Sequence, residues 1–142
     1  MTLEPKILVV DDEPDVLTSM QDMLADLPGS TVELAETYRE GRKLASKGGW
    51  TMAIVDEWLP DGKGVNILAE LRREHPETIR VMMSAHEDFE DILQGVNSAD
   101  IDHFIQKPWD PAALRLWVTK RLEPADPPPL GEGRIPMWPR LV

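Results

Sequence analysis

Residues 51–64 read TMAIVDEWLPDGKG, and the first half of this stretch contradicts the second. Met52-Ala53-Ile54-Val55 is apolar without alternation, which suits a strand covered on both faces of a sheet. The run then stops at two acids, Asp56 and Glu57. Trp58, Leu59 and a Pro60-Asp61-Gly62 turn follow. Acids at the end of a buried strand have a natural place in an open parallel sheet, because ligands bind where the strands' carboxyl ends emerge.

The same pattern recurs on either side. Ile7-Leu8-Val9-Val10 ends in Asp11-Asp12, and the apolar residues 79–83 end in Ser84. Thr31-Val32-Glu33-Leu34-Ala35 alternates more, as an edge strand does. Residues 102–106, followed by Lys107, form a shorter fifth candidate. Helical patterns lie between these runs. Val16, Leu17, Met20, Met23, Leu24 and Leu27 make a stripe at 3.6-residue spacing, with Pro14 suited to its first turn. Val65, Leu68 and Leu71 make another, ended by His75-Pro76. Phe89, Ile92, Leu93 and Val96 make a third, and Asp110-Pro111 caps a fourth that carries Leu114, Trp117, Val118 and Leu122. Residues 38–47 are a weaker helix because Gly41 interrupts them. Five β-then-α units imply an α/β fold, with a parallel sheet, helices on both faces and right-handed crossovers.

After Leu122 the composition changes. The last 20 residues hold six of the chain's 13 prolines, which predicts an extended or disordered Pro-rich tail, residues 123–142. Such a run reads as linker, or as a docking motif anchored by Ile135, Met137 and Trp138. The chain of 142 residues has a length suited to one domain, and 42% hydrophobic content is enough for a core without metal or disulfide staples. Its lack of cysteine excludes thiolate metal sites and cysteine nucleophiles, and fits a reducing cytoplasm. A formal charge of −11 argues against direct binding of nucleic acid, and no apolar run is long enough for membrane insertion.

If the first and third strands are neighbours, Asp11, Asp12 and Asp56 share one pocket. Crowded carboxylates need protons or a cation, and an all-oxygen set suits Mg²⁺ or Mn²⁺ better than zinc. A carboxylate can attack phosphorus, while a metal, a lysine and a hydroxyl stabilise the phosphoryl oxygens. Taken singly, an Asp-Asp pair is usually a cap and Lys107-Pro108 a loop entry. Their weight comes from standing at consecutive strand ends.

At this point KILVVDDEP, AIVDEWLPDGKG, VMMSA and HFIQKPW together resemble the CheY-like receiver domain of two-component response regulators, over residues 6–122. The resemblance implies a doubly wound (βα)5 flavodoxin-like fold, a five-stranded parallel sheet in the order 2-1-3-4-5. It implies Asp56 as phosphoacceptor, and Asp11, Asp12 and the backbone carbonyl of Trp58 as metal ligands beside it. It implies Ser84 and Lys107 as phosphoryl contacts, a cis Lys107-Pro108 bond, and Ser84 with Phe104 as the switch pair. Trp58 and His86 occupy the positions that tune dephosphorylation. Implied partners are a sensor histidine kinase or phosphotransfer protein upstream and a protein of unknown identity downstream. A homodimer through the fourth helix, fifth strand and fifth helix is one implied assembly. The expected role is a cytoplasmic phosphorelay switch without a DNA-binding output domain in this chain, acting only on its own phosphorylation and dephosphorylation. A Mg²⁺-dependent aspartyl phosphatase and a phosphorylation-independent adaptor are the competing readings. Glu57, where the family usually has an apolar residue, is expected to face solvent, and His103 is assigned no chemistry.

Overall fold

A computed structural model describes residues 4–85 and 100–122 of the chain. Five strands, β1 (Lys6–Val10), β2 (Thr31–Ala35), β3 (Met52–Asp56), β4 (Ile79–Ser84) and β5 (His103–Gln106), form one parallel sheet in the order β2-β1-β3-β4-β5. This is the order expected. Helices α1 (Pro14–Ala25), α2 (Tyr38–Ser46) and α3 (Gly64–Glu74) and a C-terminal helix (Pro111–Leu122) cover the sheet. The helix expected around Phe89 to Val96, His86 and the tail 123–142 lie outside the described residues.

Alternate residues of the unbroken apolar strands feed two cores. Ile7, Val9, Met52, Ile54, Val81, Met83 and Ile105 pack with α1 and the C-terminal helix. Leu8, Val10, Ala53, Val55, Met82 and Phe104 pack with α2 and α3 on the other face. Strands that serve both faces have no polar side to show, so their sequence lacks alternation. Leucine and isoleucine side chains withdrawn this fully from water stabilise the fold by roughly 1.5–3 kcal/mol each.

Gly41 does not weaken α2. A Cβ there would stand 2.7 and 2.8 Å from the two methyl carbons of Val10, so glycine lets the helix lie directly on β1. The helix is secured at its start instead. The Thr37 hydroxyl accepts from the Glu40 N–H at 3.1 Å, and the Asp61 carboxylate accepts from the Tyr38 and Arg39 N–H groups at 2.7 and 3.0 Å. Asp61 sits at the tip of a small antiparallel hairpin, Trp58–Leu59 with Gly62–Lys63, where the sequence suggested only a turn. These N–H bonds hold its carboxyl below the ordinary aspartate value.

Strand β5 begins one residue later than expected. Asp102 instead turns its carboxylate to the Arg80 N–H at 2.8 Å. His103 is buried, its ring stacked on Trp117 at 4.0 Å between centroids. Burial, helped by the charge of Arg121, pushes its pKa down to about 4, so the ring is neutral at pH 7.

Candidate functional site

Strand register assembles the site. Val10 pairs with Val55, so Asp11 and Asp56 follow directly at the ends of adjacent strands. Asp56 is opposite Met83, and the Glu57 N–H donates to the Met83 carbonyl at 2.8 Å, which brings Glu57 level with Ser84. Ser84 pairs with Gln106, and the Lys107 N–H donates to the Ser84 carbonyl at 2.7 Å. Apolar strand interiors thus set the positions of five chemical side chains, those of Asp11, Asp56, Glu57, Ser84 and Lys107.

Lys107 is the hub. Its Nζ lies 2.6 Å from Asp11 Oδ2, 3.2 Å from Asp56 Oδ1 and 3.8 Å from Glu13. The Lys107-Pro108 bond is cis, as expected. Asp11 is wholly buried, Asp56 is 7% exposed and Asp12 is exposed. Asp11 Oδ1 also accepts from the Glu13 N–H at 2.9 Å, which fixes the turn into α1.

The acids pay an electrostatic penalty for this crowding. Burial first, then the neighbouring Asp11, pushes the Asp56 carboxyl up to about 6, against the pull of Lys107. Burial also disfavours the Lys107 ammonium, but Asp11 and Asp56 outweigh it and raise its pKa.

One oxygen from each of Asp11, Asp12 and Asp56 lies within 4.8 Å of the others, and the buried Asp11 Oδ2 has the Lys107 ammonium 2.6 Å away. An all-carboxylate cluster of this kind fits a hard divalent cation such as Mg²⁺ or Mn²⁺.

Gly64 opens α3 against the strand that ends in Asp56. A Cβ at this position would stand only 1.9 Å from the Asp56 carbonyl oxygen, and the Gly64 N–H donates to the Glu57 carbonyl at 3.0 Å. Trp58 is 53% exposed, beside Lys63, whose Nζ lies 5.1 Å from the ring centroid. Phe104 is buried in the core facing α2 and α3. A groove of about 700 Å³ runs past Lys107, lined by Glu13, Val16, Ser19, Pro108 and Trp109.

Glu57 departs from its expectation. It is half-buried rather than solvent-facing, and its carboxylate accepts a hydrogen bond from the Ser84 hydroxyl at 2.5 Å. The sequence signal that could have found it is the strand register, which sets residues 57 and 84 side by side. Among the described residues the converging acids are Asp11, Asp12 and Asp56, so Glu57 stands outside that cluster.

A family model described as "Response regulator receiver domain" matches residues 7–119. The chain is 30% identical over 122 residues to the response regulator protein PilR of Pseudomonas aeruginosa, covering 86% of this chain and 27% of that protein. It spans between about a quarter and a half of the length of the curated relatives it matches. A CheY-like receiver domain protein from Methanospirillum hungatei superposes with a TM-score of 0.75 at 28% identity, covering 85% of this chain and 95% of that one. The regulator TrrA from Thermotoga maritima, solved with Mg²⁺ and BeF, superposes at 0.71 with 25% identity, covering 83% and 99%.

Proposed function

The chain belongs to the response regulator receiver domain family, and from that premise we propose that Asp56 accepts a phosphoryl group from the phosphohistidine of a sensor histidine kinase or phosphotransfer protein. Receiver domains of this family are signalling domains that work between histidine kinases and downstream effectors. The observation that carries the reading is the meeting of Asp56 with Lys107, 3.2 Å apart, beside Asp11 and Asp12. A carboxylate nucleophile held by an ammonium has what an acyl phosphate needs: an attacking oxygen and a fixed positive charge for the phosphoryl oxygens.

Asp56 attacks phosphorus in line, the P–N bond to the donor imidazole breaks, and an aspartyl phosphate forms. Lys107 draws off negative charge from one phosphoryl oxygen, and the Ser84 hydroxyl donates to another. Asp11, Asp12, Asp56 and the backbone carbonyl of Trp58 would hold Mg²⁺ or Mn²⁺, which supplies further charge neutralisation at the phosphoryl group. The apolar groove lined by Val16, Pro108 and Trp109 beside Lys107 gives the donor domain a surface to rest on. Movement of Ser84 toward the phosphoryl group, coupled to Phe104, would switch the face that the fifth strand and the C-terminal helix share with the helix expected from the sequence around Phe89 to Val96. A downstream protein or a second copy of the chain reads that face.

Trp58 and His86 tune dephosphorylation in this reading, with the exposed indole shielding the acyl phosphate from water. The chain turns over no external substrate, works in the cytoplasm and contacts no nucleic acid itself. Among the described residues no helix is long and apolar enough to cross a membrane. Incubation with phosphoramidate and Mg²⁺ followed by intact mass tests the reading. A single phosphoryl adduct that is lost in Asp56→Asn is the expected result. Steady turnover of a phosphomonoester would favour an aspartyl phosphatase instead.

A further inference from the structure

We infer that Glu57 is a built-in competitor for the switch hydroxyl, a positioning residue that holds Ser84 away from the phosphoryl group and sets how readily the domain activates. The inference rests on the reading of Asp56 as phosphoacceptor and adds a residue to it.

The Ser84 hydroxyl has one proton to donate. In the structure that proton goes to the Glu57 carboxylate at 2.5 Å, a distance typical of a charge-assisted O–H···O⁻ bond. A phosphoryl group on Asp56 needs the same proton for one of its oxygens. The two acceptors lie on consecutive residues of one chain, so Ser84 must leave Glu57 in order to serve the phosphoryl group. Glu57 is held firmly enough to compete. Its N–H is bound to the Met83 carbonyl at 2.8 Å, its carbonyl accepts from Gly64 at 3.0 Å, and its side chain is half-buried. The released carboxylate also stays near the new dianion and repels it. An apolar residue in this place would do neither.

The contribution of Glu57 is therefore separable into a part that acts through Ser84 and a part that acts through charge alone. Four proteins distinguish them: wild type, Glu57→Ala, Ser84→Ala and the double variant. The first readout is the affinity of each for beryllofluoride with Mg²⁺, followed by the fluorescence of the tryptophans. Glu57→Ala is expected to bind roughly tenfold more tightly than wild type, the size of one charge-assisted hydrogen bond. In the Ser84→Ala background most of that gain should vanish. The second readout uses metal-free protein without beryllofluoride: urea unfolding midpoints of the same four proteins should be non-additive, because one bond is deleted by either substitution. Glu57→Gln, which keeps an acceptor but loses the charge, should fall between wild type and Glu57→Ala in affinity.

Equal gains in both Ser84 backgrounds, or no gain at all, would overturn the inference while leaving the phosphoacceptor reading intact. Additive unfolding midpoints would overturn it as well. A wild-type protein that binds no beryllofluoride would overturn both.

Discussion

At Asp56 the protein keeps a carboxyl group where burial and Asp11 oppose its ionisation, with a pKa near 6. An exposed aspartate titrates near 4, so the folded state holds this proton more tightly than the unfolded chain. Ionised Asp56 therefore costs stability above about pH 6, and the cost fades as pH falls toward 4. Asp56→Asn in metal-free protein is expected to be more stable than wild type at pH 7 by on the order of 2 kcal/mol, with the gap closing by about pH 4. Urea denaturation at both pH values checks this, and a gap that widens on acidification would reverse the assignment. Under the proposed function this penalty has a use, because a phosphoryl group with its metal would replace bare like-charge repulsion by balanced contacts. Trp58 belongs to the same scale. Trp58→Asn should shorten the life of the phosphorylated state several-fold, read as the decay of the intact-mass adduct, and an unchanged half-life would remove its shielding role.

Between residue and molecule, the connection from β3 to α3 positions Asp56. The sequence showed a turn there, and the hairpin it forms is tied to α2 through the Asp61 carboxylate. Gly64 is the critical residue of this connection, since a Cβ would meet the rigid Asp56 carbonyl rather than a flexible side chain. Gly64→Ala is expected to destabilise the fold by about 2–4 kcal/mol, although alanine is the better helix former. A urea midpoint equal to that of wild type would show that α3 can move away from β3 without cost. Gly41 misled the sequence reading for a related reason. Propensity counts its local cost in a helix, whereas the close approach of α2 to Val10 depends on a contact far along the chain.

Across the whole molecule, the strands were legible because apolar runs without alternation suit a sheet covered on both faces, while their order was implied by the resemblance to receiver domains. The chemical residues were legible for the same reason: they stand where those runs stop. The meeting of Asp11, Asp56 and Lys107 follows from the parallel register. Glu57 was not legible, because its partner Ser84 is a neighbour only across β3 and β4, and an acid after a strand ordinarily faces water. The same limit hid the stacking of His103 on Trp117, which joins the fifth strand to the C-terminal helix. The central claim for the molecule is that phosphorylation falls on one side chain. Incubation with phosphoramidate and Mg²⁺, then borohydride reduction, converts an aspartyl phosphate to homoserine, which peptide mass spectrometry locates. The account predicts homoserine at residue 56 alone. Homoserine at 11 or 12, or no conversion in a folded protein, would contradict it.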